Sequence, residues 1–206
     1  MRTGLFGGTF DPVHFGHLLL AETCREVGQL DEIWFVPAAR SPHKPNVVMA
    51  SAKQRVEMLR FAIAGHPQFR ISKVELERPA PSYTVDTLRQ LQSEEPDRQF
   101  VLLMGADSLH DLPTWREPEA ILDMVEIMAV SRGREAASHD PVITHLGEQA
   151  RQRIQTVVMP AIDISASDLR ERARTGRSLR FLTPRPVELF IQQHGLYRDA
   201  VPGEST

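Results

Sequence analysis

The stretch GLFGGTFDPVHFGHLLL carries two histidines, His14 and His17, three positions apart and just past a glycine pair. Strand-like patterning gives way to helix-like patterning at this point. Gly7 and Gly8 let the backbone turn tightly and approach a ligand closely. Thr9 to Pro12 then carry the chain to a helix that should start near Phe15. A helix N-terminus offers unpaired N–H groups and the positive end of a dipole, a setting for an anion. Residues three apart in a first helical turn face one way. An imidazole N–H can donate to a phosphate oxygen without the hydration cost of an ammonium. Two other readings stand beside phosphate binding: a glycine turn with incidental histidines, and a His-x-x-His metal chelate. Asp11 and Glu22 are the local carboxylates, with no cysteine close by, so no third metal ligand is apparent. The segment has neither the lysine of a P-loop nor the GxGxxG of a dinucleotide fold. Local chemistry favours phosphate.

Four further motifs have chemical content. In SPHKP, Ser41 to Pro45, prolines flank Lys44; taken alone this is a solvated surface lysine. In SYTVDTL, Ser82 to Leu88, the Ser, Thr and Asp are ordinary helix-start residues, and helix-start N–H groups also suit a carboxylate. In LLMGADSLHDLPTW, Gly105 and Asp107 follow a buried-looking strand, where an acidic side chain can accept two ribose hydroxyls. Trp115 lies in a charged Pro-Thr loop, less core-like than Trp34 in EIWFV, and can stack on a planar ring or simply pack. In ISASDLRER, Ser165, Ser167 and Arg170 read either as an anion cradle or as a capped helix with a surface arginine. Arg132, in VSRG, is a further cation after a strand.

Taken in order, these motifs resemble the bacterial nicotinate-nucleotide adenylyltransferases over nearly the whole chain. GGTFDPVHFGH is similar to the (H/T)xGH signature of the wider nucleotidylyltransferase superfamily. The resemblance implies a Rossmann-like domain. It also implies adenylyl transfer from ATP to nicotinate mononucleotide, giving deamido-NAD and pyrophosphate. Mg2+ would come bound to substrate, with no protein ligand for it expected. His14, His17, Lys44 and Arg170 would be catalytic. ATP would be met by Gly7, Gly8, Thr9 and Phe10, by Gly105 and Asp107, and by Arg132, Ser165 and Ser167. Tyr83, Thr84 and Trp115 would hold the mononucleotide. Ser167 stands where the family usually has threonine, which keeps the hydroxyl; Asp168 beside it is mildly unfavourable near a triphosphate unless it points away or helps place a metal. The rivals are phosphopantetheine and nicotinamide mononucleotide adenylyltransferases and, from another class, a non-catalytic nucleotide-binding regulatory module. The intact His14, His17, Lys44 and Arg170 argue against the last.

These residues need a scaffold. Strand-like runs, rich in Val, Ile and Phe, cover Thr3–Phe6, Glu32–Val36, Phe69–Leu76, Phe100–Met104, Glu126–Val130 and Ile154–Val158. Such runs suit strands covered on both faces. Helix-like runs separate most of them: His17–Val27 ending at Gly28, Ala52–Ala64 with a Ser51/Gln54 capping box, Thr84–Gln92, Glu117–Met124, Ser167–Arg174 and Pro184–His194 with Thr183 as cap. The alternation predicts an α/β fold: a Rossmann-like, doubly wound parallel sheet with helices on both faces and a small helical C-terminal part. One nucleotidylyltransferase domain over 1–198 and a frayed tail over 199–206 are expected. Loops 37–50 and 132–141 are long enough to suggest function.

The 206 residues are 41% hydrophobic and 25% charged, with net charge −3. That is an ordinary globular composition whose overall field recruits neither nucleic acid nor an anionic membrane. The single cysteine, Cys24, excludes an intrachain disulfide and sits in a helical apolar run, so a buried thiol is expected. A cytoplasmic location is the default.

Overall fold

Six apolar runs form six parallel strands: β1 (Arg2–Gly8), β2 (Glu32–Pro37), β3 (Phe69–Ile71), β4 (Gln99–Gly105), β5 (Glu126–Arg132) and β6 (Ile154–Met159). The computed structural model describes residues 1–39, 50–133 and 140–198, leaving aside the side chains of Asp140 and Pro141. Lys44, most of the 37–50 loop, residues 134–139 and the 199–206 tail therefore lie outside the described residues. The sheet order is β3-β2-β1-β4-β5-β6, and every neighbouring pair is parallel. The chain winds outward from β1 to one edge, returns to β4, and winds to the other. This is the doubly wound order, and its crevice opens between the carboxyl ends of β1 and β4.

Strand side chains alternate between two cores, as a period of two requires. Phe6, Ile33, Phe35, Val101, Leu103, Met128 and Val130 enter one core. Leu5, Val36, Phe100, Leu102, Met104, Ile127 and Ala129 enter the other. Helices α1 (Phe15–Val27) and α2 (Ala52–Ile63) cover the first core. Helix α3 (Thr84–Glu94), the short α4 (Ala106–Asp111) and α5 (Pro118–Met124), with α6 (Asp140–Leu146) and α7 (Gln149–Arg153), cover the second. The last two helices, α8 (Ala166–Arg174) and α9 (Arg185–Gln193), return to the first face through Leu169, Val187 and Ile191. Cys24 is buried in that core, and burial pushes its thiol up to about 12.

Several local expectations are corrected. The run Phe69–Leu76 is a strand only to Ile71. Leu76 and Glu77 then donate backbone hydrogen bonds to the Lys73 carbonyl, and this turn carries Glu75 under α3. Thr183 does not cap α9: Pro184 is the N-cap, and the Thr183 hydroxyl donates to the Val13 carbonyl at 2.7 Å. Gly28 ends α1 with an ordinary φ of −81°; a Cβ there would lie 2.7 Å from Met128 Sδ, so packing and not backbone freedom demands glycine. The Ser51/Gln54 capping box is present in both directions, at 3.2 and 2.8 Å. Helices α4, α6 and α7 have no counterpart in the sequence expectations, being too short to establish a period.

At the amino ends of the strands Glu32, 4% exposed, joins three elements. Its carboxylate accepts from Arg70 Nε at 2.6 Å, from Trp34 Nε1 at 2.9 Å, and from the Arg98 guanidinium. Arg98 also lies over the Trp34 ring. This network fastens the amino end of the sheet, opposite the crevice.

Candidate active site

Past Gly8 the chain forms a loop from Thr9 to Val13 and enters α1 at His14, its N-cap. The turn falls on Phe10, which has φ 51°, and not on the glycine pair. The Phe10 ring is buried against Phe6 and Phe35, with centroids 5.4 and 5.6 Å away. A Cβ on Gly8 would meet that ring at 2.9 Å, so Gly8 is a glycine to admit Phe10. Phe10 is thus a prop beneath the loop, and its ring borders neither cavity described below.

Gly16 has a similar duty. A Cβ there would come within 3.0 Å of His14 Nδ1, so its absence lets the His14 ring fold back over the helix start. The His14 and His17 rings stack with centroids 3.7 Å apart and planes 26° apart. The His14 backbone N–H donates to His17 Nδ1 at 3.2 Å. An imidazole that accepts at Nδ1 is neutral there and carries its proton on Nε2. The loop therefore sets His17 as an Nε2–H donor. His14 is 3% exposed, and its Nδ1 has no hydrogen-bond partner. Burial, aided by the charge of Arg132, lowers its pKa to about 4, so its ring is neutral at physiological pH.

Two cavities open at the crevice. The larger, about 320 Å³, is bordered by Gly7, Gly8 and Thr9 from β1 and its loop, by Tyr83 and Thr84 at the start of α3, and by Trp115. The smaller, about 210 Å³, is bordered by His14, His17 and Arg132. Gly105 and Asp107, at the end of β4 and the start of α4, border both. The structure thus puts Gly7, Gly8 and Thr9 beside the tyrosine–tryptophan cavity, and the histidines with Arg132 in the other. Arg116 lies over the Tyr83 ring at 4.9 Å and adds a cation to the larger cavity.

Ser165, Ser167 and Arg170 border neither cavity. Ser165 caps α8 by accepting from the Asp168 N–H at 3.1 Å. Asp168 turns away to Arg172 at 2.8 Å, which removes the expected conflict with a bound polyanion. Arg170 spans from α8 to the loop after β1, donating to the Asp11 carbonyl at 2.7 Å and to Ser167 Oγ at 3.2 Å. Lys44 lies outside the described residues.

Sequence reasoning missed a buried acid in the larger cavity. Glu75 accepts from Thr87 Oγ1 at 2.8 Å; its burial raises its pKa, and the Thr87 bond partly opposes this. It also missed Arg55 and Tyr197 beneath the loop, and the Tyr197 hydroxyl as a partner of the Asp11 carboxylate. The visible signal was an arginine inside the apolar run of α2. Among the described residues no group of three or more His, Cys, Asp or Glu could hold a metal ion. No helix there is long and apolar enough to cross a membrane.

Residues 5–172 match the cytidylyltransferase-like family model. A protein of Thermomicrobium roseum named as a probable nicotinate-nucleotide adenylyltransferase is 44% identical over 197 residues, 96% of this chain and 92% of its own. A Thermus thermophilus protein of the same name is 43% identical over 198 residues, 96% of this chain and all of its own (100%). Among solved structures, the Plasmodium falciparum nicotinic acid mononucleotide adenylyltransferase complexed with NaAD superposes with TM-score 0.79 at 17% identity, covering 95% of this chain and 97% of that one. At that identity the likeness concerns the fold.

Proposed function

Because the chain belongs to the cytidylyltransferase-like family and, within it, to the nicotinate-nucleotide adenylyltransferases, we propose that it transfers the adenylyl group of ATP to nicotinate mononucleotide. The products are deamido-NAD and pyrophosphate, in the biosynthesis of NAD. The observation that carries the reading is the pair of cavities meeting at Gly105 and Asp107 beside the stacked histidines. The reaction needs two nucleotides end to end, with their phosphates at the junction.

The mononucleotide takes the larger cavity. Trp115 offers its ring a stacking face, and the start of α3 at Tyr83 and Thr84 offers N–H groups to its carboxylate. ATP takes the smaller. Asp107, which borders both, accepts ribose hydroxyls.

The nucleophile is a 5′-phosphate oxygen of the mononucleotide. A phosphate monoester has its second pKa near about 6, so it is ionised at neutral pH and needs no general base. The oxygen bonds to the α-phosphorus as the bond from that phosphorus to the β-bridging oxygen breaks. The electron pair leaves on pyrophosphate. What the protein supplies is alignment and charge stabilisation. His17 donates from Nε2 to the phosphoryl oxygens, and neutral His14 backs its ring. Arg132 and Lys44 offset the charge of the departing pyrophosphate, and Arg170, held at the Asp11 carbonyl, adds its positive charge from outside the cavity. A Mg2+ ion fits this donor set when held by substrate phosphates and water, since Asp107 is the one carboxylate bordering the smaller cavity among the described residues. When bound it supplies further charge neutralisation. With ATP as co-substrate, the reaction belongs in the cytoplasm.

The test is product analysis. Incubation with ATP, Mg2+ and nicotinate mononucleotide should yield deamido-NAD and pyrophosphate in equal amounts. Binding of ATP with no product would overturn the reading in favour of a non-catalytic nucleotide module.

A further inference from the structure

The catalytic loop is held from beneath by residues remote in sequence. The Thr9 carbonyl accepts from Arg55 Nη1 at 2.8 Å. The Asp11 carboxylate accepts from Tyr197 Oη at 2.6 Å, across 186 residues of chain. The Val13 carbonyl accepts from Thr183 Oγ1 at 2.7 Å, and the Phe15 N–H donates to the Leu182 carbonyl at 3.2 Å. Asp11, Arg55 and Thr183 are all but inaccessible, and Tyr197 is 5% exposed. Such groups are costly to bury, and Arg55 Nε is left without a partner. A loop tethered only for stability could be held by apolar packing. These partners instead pin carbonyls and a carboxylate at alternate positions leading into His14.

We propose that Tyr197, acting through Asp11, is a positioning residue: a strut from the C-terminal segment that sets the loop, and with it His14 and His17, against the crevice. The chain of cause is short. Tyr197 fixes Asp11. Asp11 and Val13, the latter held by Thr183, fix the His14 backbone, whose N–H orients the His17 ring. The packing of the Tyr197 ring in the core places its hydroxyl, since the ring joins the cluster of α1, α2 and α9 side chains. The segment after α9 is then part of the active site although it borders neither cavity.

The inference rests on the site being an adenylyl-transfer centre, and two readouts separate it from that reading. Tyr197→Phe keeps the ring and removes the donor. It should lower kcat about tenfold or more with both KM values little changed, because misplacement of a donor acts on the transition state. Ile191→Val, which loosens α9 without touching the loop, should lower the melting temperature and leave kcat alone. The ¹⁵N signals of the His17 ring should shift in Tyr197→Phe and not in Ile191→Val; this readout needs no turnover. Asp11→Asn, which keeps an oxygen acceptor, should retain more activity than Asp11→Ala. If Tyr197→Phe does not fold, Thr183→Val carries the same expectation of lowered kcat and shifted His17 signals. A folded Tyr197→Phe protein with near-normal kcat and unshifted His17 signals would overturn the proposal. No turnover in the parent, with the His17 shift present, would overturn the function and spare the strut.

Discussion

His14 and His17 carry the same ring to different ends. His17 is set as an Nε2–H donor by the His14 backbone, while the His14 ring is buried, neutral and stacked behind it. Removing a preorganised donor to a charged transition state costs roughly 3–4 kcal/mol. His17→Ala should therefore fold normally and lose about 10²-fold or more in kcat, read as pyrophosphate release. His14 makes a separate prediction, on stability. Its pKa is about 4 when folded and 6.5 when unfolded. Between those values the unfolded chain binds a proton that the native one does not, so stability falls as pH drops from 6.5 toward 4. The loss assigned to this one group is about 3 kcal/mol. Between neutral pH and pH 4 the parent should lose about 3 kcal/mol more stability than His14→Gln, read from denaturation curves at the two pH values. The type and spacing of the two histidines suggested phosphate chemistry in the sequence, and the fold brings both rings to one cavity. Their division of labour was not, because it depends on a ring folding back over Gly16 and on Arg132 arriving from β5.

Helix α8 shows what an element adds to its residues. Ser165, Ser167 and Arg170 read in the sequence as one anion cradle. In the fold Ser165 serves the helix by capping it, and Arg170 serves the loop by reaching the Asp11 carbonyl. Ser165→Ala should cost about 1 kcal/mol, because the Asp168 N–H loses its partner. A shift of the urea midpoint checks this; an unchanged midpoint would show that the cap contributes nothing. Most helices could be read from their period and their caps, as at Ser51 and Gln54. Where the sequence misled, tertiary contact had displaced local preference. Thr183 looked like a cap and instead holds Val13. Gly8 looked like a turn glycine and instead admits Phe10. The run from Phe69 looked like a long strand, yet it turns at Lys73 to bury Glu75.

Across the whole molecule, the order β3-β2-β1-β4-β5-β6 brings the loop after β1 beside the end of β4. Parallel strands between helices were evident from apolar runs alone. The meeting of the two cavities at Gly105 and Asp107 was not, since it depends on which strands become neighbours. The opposite, amino end of the sheet is held by Glu32 with Arg70, Trp34 and Arg98. Glu32→Ala should destabilise the fold by about 1–3 kcal/mol, because the part-buried Arg98 and the Trp34 N–H lose their acceptor while the exposed Arg70 returns to water. The kcat of the folded fraction should not change, and a large fall in it would show that the two ends of the sheet are coupled. The central claim is that the joined cavities unite ATP with nicotinate mononucleotide. It is tested most directly by kcat/KM for pyrophosphate release from ATP with nicotinate mononucleotide, nicotinamide mononucleotide or phosphopantetheine as acceptor. The account predicts a clear preference for nicotinate mononucleotide; a preference for either of the others would contradict it.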